Sequence, residues 1–329
     1  MNAKIFAEWL RRHGHTVVRT ASSYWYNAGP RVFQAFPYHS VIHPSQQELR
    51  AMMRGKGIVA LRYSTSVSAP SGCISYHAIY DKPIYTLESL ERRSRQNVRT
   101  GLKNCRIKAI SFERYAEEGW VLEMDTLDRQ GRRTKESEKT WYRDCLAAAD
   151  LPGFEAWGAI VDGRLAASLL TFQVEDWCEM IFQQCHRDYL SARVNNALTF
   201  VVTQTMISRP KIRSVFYALH SLDAPCSTDE FKFRMGYTAK PIRQRVVFNA
   251  WLEPFVKRFT HTFIVRLLGR YPDNYILAKA EGMVRFHQQG IRPLSEQDWP
   301  ECLVDRKTEL CEKMNFSAAT GEPYFDKIA

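Results

Sequence analysis

Read for hydrophobic spacing, the stretch from residue 156 to residue 248 is the most regular part of the chain. Residues 156–161 and 165–172 are two strand-like runs around Asp162-Gly163, a pair suited to a two-residue hairpin turn. Residues 177–184 predict a third strand. Residues 195–208 are apolar on nearly every side (Ala197, Leu198, Phe200, Val201, Val202, Met206, Ile207), the pattern of a buried helix. A strand at 213–219, a short helix at 228–235 ended by Gly236 as a C′ glycine, and a strand at 240–248 complete the region. Upstream, 58–63 and 73–79 predict strands, and 107–112 alternates like another. Residues 86–104 predict one helix with Thr86 as its N-cap and Leu87, Leu90, Ser94, Val98 and Leu102 along one stripe. Two polar helices are expected at 115–129 and 138–149, joined by a charged linker. The first 57 residues are rich in aromatics and broken by Pro37 and Pro44, and they predict loops and short helices, one of them at 46–54. Beyond residue 250 the pattern is helical, over 251–268 and 273–289, with a loosely ordered end from about residue 315.

This order, β–β–β–α–β–α–β over 156–248, carries a topological consequence. The tight turns make the first three strands antiparallel. The long helix between the third and fourth strands is a crossover, so those two should be parallel. A mixed α/β sheet with such a pair has a crevice where the two strands part, and α/β proteins bind ligands in crevices of this kind. The buried helix starts near Asn195, and its unpaired amides and positive dipole end suit a phosphate. His186 and His220 lie just past the ends of the two parting strands. A histidine there can take a proton from an amine, and His220, with Asp223 close by in the chain, is the better-placed base. A loop histidine bonded to backbone is the simpler expectation for either.

Composition narrows the class. The chain has 329 residues, 46 Lys+Arg and 35 Asp+Glu, hence a net charge of +11, and its 45% hydrophobic content is that of a globular protein of about two domains. Its eight cysteines form no CxxC pair, so neither a structural zinc nor a disulfide framework is expected, and no metal is assigned. No secretory leader and no membrane-spanning run are predicted, which points to a cytoplasmic protein. Arg92, Arg93, Arg95, Arg99, Lys103, Arg106 and Lys108 put seven positive charges into seventeen residues with no acid among them. Such a run suits RNA, an anionic lipid surface or a phosphate-bearing substrate, and is most often a solvated face. No aromatic interleaves it, which argues against sequence-specific nucleic-acid reading. Leu252, Phe255, Val256, Phe259, Phe263 and Leu267 make an amphipathic stripe that fits either a membrane interface or the protein's own core. Tyr24, Trp25 and Tyr26 could line an acceptor pocket, although core packing is the simpler expectation.

Three stretches carry a resemblance to a known family: the basic Leu90-Glu91-Arg92-Arg93-Ser94-Arg95-Gln96-Asn97-Val98-Arg99-Thr100-Gly101, then Trp157-Gly158-Ala159-Ile160-Val161-Asp162-Gly163-Arg164-Leu165-Ala166-Ala167-Ser168, then Phe231-Lys232-Phe233-Arg234-Met235-Gly236-Tyr237. Their order and separations resemble the GNAT acyltransferase fold, and more closely its FemAB-like branch. The resemblance implies a GNAT-like domain over 113–250, a smaller related half over 1–112 and a helical extension over 251–329. It implies an acyltransferase with acyl-CoA as co-substrate and an amine acceptor, such as a small molecule or a cell-envelope precursor. Ser191, Arg193, Asn195 and Asn196 would then meet the donor's phosphates, Lys232 would stabilise charge, His220 would act as base, and His186, Trp25 and Asp223 would face substrate. The chain departs from the pattern twice. Its phosphate loop has no glycine, and Lys232 stands where many acetyltransferases place a tyrosine. Both departures lean towards the FemAB branch, so an aminoacyl-tRNA donor is the alternative, with attachment to the inner face of the membrane as a further expectation. A non-catalytic binder of RNA or of an anionic membrane that keeps the fold is the rival from another class.

Overall fold

The computed structural model describes the chain except residues 1, 30, 55–56, 133–135, 223–225, 257, 273 and 321–329. In chain order its elements are α1 (Ala3–Arg12), β1 (Val17–Arg19), β2 (Tyr24–Gly29), β3 (Val32–Phe36), α2 (Gln46–Met53), β4 (Ala60–Thr65), β5 (Cys73–Tyr80), α3 (Arg92–Asn104), β6 (Arg106–Ile110), α4 (Phe112–Arg129), α5 (Glu138–Leu146), β7 (Phe154–Val161), β8 (Arg164–Val174), β9 (Trp177–Cys185), α6 (Val194–Ile207), β10 (Ser214–Leu219), α7 (Cys226–Arg234), β11 (Thr238–Phe248), α8 (Arg258–Arg270), α9 (Tyr275–Gly290) and α10 (Lys307–Thr320). They form two compact units. The first gathers residues 1–16, 78–218 and 224–238, and the second 17–77, 219–223 and 239–329. The divisions at 112 and 250 drawn along the chain are linear, whereas both units are discontinuous.

In the first unit β6, β7, β8 and β9 form an antiparallel ladder, with register Lys108↔Gly158, Gly158↔Ser168 and Ser168↔Gln184. The β7–β8 turn has Asp162 at φ 49° and Gly163 at φ 82°, the left-handed pair that the hairpin requires. β10 adds to β9 in parallel, as the crossover demands. Successive strand residues point to opposite faces. Gln183 therefore faces α6, bonding Asn195 and Thr199, while Gln184 faces α4 and bonds Glu123. α6 buries Val194, Ala197, Leu198, Val202 and Met206 completely, which explains its all-round apolar sequence.

The second unit has β1–β2 and β2–β3 antiparallel, β3–β4 parallel and β4–β11 antiparallel. The expectation of loops and short helices over the first 57 residues is corrected here. Apart from α1 and α2, this stretch holds three strands, and Tyr24, Trp25, Phe33 and Phe36 on them are buried while Tyr26 is half-buried. Trp25 is 0% exposed, sets its edge against Tyr63 at 5.7 Å and packs with Phe33, Leu49, Met52 and Leu61.

Two expected helices are broken. Residues 86–104 divide into a short 3-10 turn at Leu87–Ser89 and α3, with Leu90 extended at ψ 153°. A Thr86–Ser89 capping box closes the turn, so the helical phase restarts at Arg92. The buried stripe becomes Ser94, Val98 and Gly101, and Leu102 is left exposed. The 251–268 stretch starts as a 3-10 turn at Glu253–Phe255, because Pro254 fits a first turn and not a helix interior, and α8 begins only at Arg258. Residues 315–320, expected to be loose, continue α10. Among the described residues no helix is long and apolar enough to cross a membrane, and no group of three His, Cys, Asp or Glu is arranged to hold a metal.

Candidate active site

β9 and β10 pair from Ser214↔Trp177 to Phe216↔Glu179, and their register ends there. β9 runs on to Cys185 and β10 to Leu219. Residues 180–185 and 217–218 of the first unit thus extend past the last paired residues, as expected of a parallel pair that parts.

The side chains at the parting are tied together. Tyr217, the first residue of β10 beyond the pairing, donates its hydroxyl to Gln183 Oε1 at 2.5 Å. Gln183 Nε2 donates to Thr199 Oγ1 at 3.1 Å and to Asn195 Oδ1 at 3.4 Å, so one amide joins both strands to the first turns of α6. Thr203, one turn further, shares a 2.6 Å hydrogen bond with the Tyr237 hydroxyl. Asn195, Thr199 and Thr203 recur every fourth residue, a polar line on an otherwise apolar helix. Tyr237 sets its ring edge against Tyr217 at 5.1 Å. Burial pushes the phenol of Tyr217 up, against the opposing hydrogen bond of Thr199, and burial pushes that of Tyr237 well up. Both hydroxyls therefore keep their protons at neutral pH.

Lys232 belongs to the same cluster. It is 5% exposed, its ammonium lies 2.6 Å from Asp229 Oδ1, and it stands 5.9 Å above the Tyr217 ring. Asn196 Nδ2 reaches Met235 Sδ at 3.5 Å. Arg193 is the N-cap of α6 in the left-handed conformation (φ 60°, ψ 29°), and its side chain makes no capping bond. Ser191 and Arg193 are exposed. α3 supports this loop from one flank. A Cβ added to Gly101 would lie 2.4 Å from the Arg193 carbonyl oxygen and 2.8 Å from Ala197 Cβ, and Asn104 donates to the Ala192 carbonyl at 3.3 Å. Gly101 is thus the residue that allows the basic helix to touch the loop before α6.

His186 opens the turn after β9. Its Nδ1 lies 3.4 Å from Asp188 Oδ2 and its Nε2 lies 3.9 Å from Asp125 Oδ1. Burial raises the Asp125 carboxyl, but hydrogen bonds from Arg187 and Arg129 outweigh that and hold it below its usual range. On the α4 side, burial lifts the Glu123 carboxyl although Gln184 bonds it.

The structure brings Lys232, Asn195 and Asn196 into one neighbourhood of the first unit, with Ser191 and Arg193 on the loop that precedes α6. His220 and Trp25 belong to the second unit. His220 stacks on Tyr76 at 4.8 Å, its Nδ1 lies 3.3 Å from Ser75 Oγ, and its carbonyl accepts from Gln244 at 2.9 Å. Trp25 donates its indole N–H to Thr20 Oγ1 at 2.8 Å inside the core, so it has no surface to offer an acceptor. Asp223 lies outside the described residues. Sequence reasoning passed over Gln183, Thr199, Tyr217, Asp229 and Tyr237. The four-residue line on α6 was the signal that could have found part of the set.

A mixed sheet whose parallel pair parts beside the start of a buried crossover helix is a GNAT-like fold. No protein-family model matches the sequence, and no curated protein matches it. Among solved structures, FemX is similar with a TM-score of 0.52 and 10% identity, over 76% of this chain and 92% of its own. The C-terminal domain of a putative lysylphosphatidylglycerol synthetase from Agrobacterium fabrum is similar with a TM-score of 0.50 and 13% identity, over 75% and 87%. At these identities the likeness is one of fold.

Proposed function

We propose that the chain is an acyltransferase in which an amine attacks an activated acyl carbonyl held between β9 and β10. One observation carries this reading: the register of the two strands stops at Phe216↔Glu179 while both continue. Beyond that point β9 and β10 no longer pair with each other, and the amide-bearing arm of a thioester donor can add there as a strand. The donor's phosphates suit the first amides of α6 together with Ser191 and Arg193. The amine nitrogen forms the new C–N bond, the C–S bond breaks, and the thiolate leaves with the electron pair. Lys232 stabilises the developing oxyanion. Tyr217, at the parting, can donate its hydroxyl as a hydrogen bond to the leaving thiolate, which takes up the proton released by the amine. His186, on the turn after β9 in the first unit, is the proposed acceptor of the amine's proton. Acyl-CoA is the proposed donor, and no metal takes part in these steps.

A second donor, aminoacyl-tRNA, is favoured by one feature: the basic α3 lies against a phosphate loop that lacks glycine. Thermal unfolding with acyl-CoAs and with charged tRNA separates the two. A donor that binds the folded chain at a hundred times its Kd stabilises it by about 2.7 kcal/mol. A rise in Tm with an acyl-CoA, lost in Arg193→Ala, is the expected result. A rise with charged tRNA alone moves the donor to the second reading, and no rise with either removes both.

A further inference from the structure

We propose that the second unit carries a binding site for an organic phosphate with an apolar body, in the cavity framed by α2, β11 and the end of α9. The cavity has a volume of about 790 Å3, within the roughly 300–1,000 Å3 usual for small-molecule sites. Arg50 and Arg54 reach its wall from α2, and Arg245 from β11. Glu253 is the one carboxylate among the described residues of the lining. The side chains of Arg50 and Arg54 have no hydrogen-bond or ion-pair partner among the described residues. The carboxylate of their own helix is engaged elsewhere, since Glu48 accepts from the Ser22 N–H at 3.0 Å and from its hydroxyl at 2.6 Å. Arg245 is steadied by the Tyr63 hydroxyl.

Arg50 and Arg54 alone would be explained as cations at the C-terminal end of a helix, where the dipole favours them. Arg245 comes from a strand, so it is not the last-turn cation of a helix, although the C-terminal end of α9 also lies at this cavity. Guanidinium forks match phosphate oxygens in pairs, which selects a phosphate over a simple halide. The rest of the wall is mixed: Gln46, Ser71, Asn249 and His287 add polar groups, and one part of it is apolar. Leu49, Met53 and Phe248 line it, and Trp251 does so while 57% exposed. A ligand with a phosphate at one end and a hydrocarbon or ring at the other would satisfy both sides. This site is independent of what the first unit catalyses.

Calorimetric titration of the full chain tests the proposal, with octyl phosphate as the probe, octyl glucoside as the uncharged control, and inorganic phosphate and phosphatidylglycerol vesicles as further arms. Octyl phosphate is expected to bind more tightly than octyl glucoside or inorganic phosphate. The pair Arg50→Ala/Arg54→Ala, both exposed, should weaken it by about tenfold or more while Tm is unchanged. Glu253→Gln should strengthen it, a gain that misfolding cannot produce. Vesicle binding lost in the same double variant assigns the phosphate to a lipid headgroup. Binding of octyl phosphate without vesicle binding assigns it to a soluble ester. Equal binding of octyl phosphate and octyl glucoside, or an unchanged affinity in the double variant, overturns the site.

Discussion

Lys232 has two jobs to be told apart. Its side chain is 6% exposed and that of Asp229 14%, so each ion stabilises the other in a place where water does little. Removing one member of a buried pair costs about 3–5 kcal/mol, because the other is left charged and dry, while replacing both by apolar groups costs far less. Lys232→Met is therefore expected to lower Tm sharply and to abolish transfer. Lys232→Met/Asp229→Leu should recover Tm. If the ammonium acts on the developing oxyanion, kcat stays low in the recovered double variant. If kcat returns with Tm, the lysine is structural. Tyr217→Phe is a milder change that removes one donor from Gln183, and it should cost about 1 kcal/mol of stability with a larger relative fall in kcat. Urea unfolding beside steady-state rates on the same preparations reads both quantities.

At the scale of elements, α3 and α6 meet through Gly101. Its absent side chain leaves room for the Arg193 carbonyl at a distance no Cβ could accept. Gly101→Leu should cost about 3 kcal/mol in urea unfolding and weaken donor binding, because the loop from Ser191 to Asn196 must shift. An unchanged donor affinity would mean that α3 does not support this loop. Much of this region was legible in the sequence. Asp162-Gly163 between two alternating runs gives the β7–β8 hairpin, and the fourteen-residue crossover α6 makes β9 and β10 parallel. Their parting follows from that topology. What stayed hidden depends on side chains that meet only in space. β1 to β3 have three to six residues each, too short for an alternating pattern to stand out from scattered aromatics. The break before α3 is made by a Thr86–Ser89 capping box inside a run that reads as continuous helix. Gln183 and Tyr217 come from two strands joined by a long crossover, and no local spacing pairs them.

For the whole molecule, the sequence pattern yields elements in chain order and cannot show that residues 17–77 fold with 239–329, since hydrophobic spacing is local and this association spans the chain. The units also bring a pH dependence that charge alone would not suggest. A net charge of +11 predicts growing self-repulsion in acid, but a specific group adds to it. His77 in the second unit is 1% exposed, with Nε2 2.9 Å from Ser64 Oγ, and burial, helped by the charge of His39, lowers its pKa to about 3. An unfolded histidine titrates near 6.5. Between those values the unfolded chain binds a proton that the native state refuses. The stability tied to neutral His77 is therefore complete above about pH 6.5 and is lost as pH falls towards 3, at about 1.4 kcal/mol per pH unit. Burial lowers His13 in the first unit as well, so some slope persists without His77. His77→Gln keeps a partner for Ser64 and cannot titrate. It should be less stable than the parent chain at pH 7.5 and should lose about 1.2 kcal/mol less between pH 6 and pH 5, so that the two urea-unfolding curves converge in acid. Parallel pH profiles for the two proteins would mean that His77 can take its proton without leaving the fold.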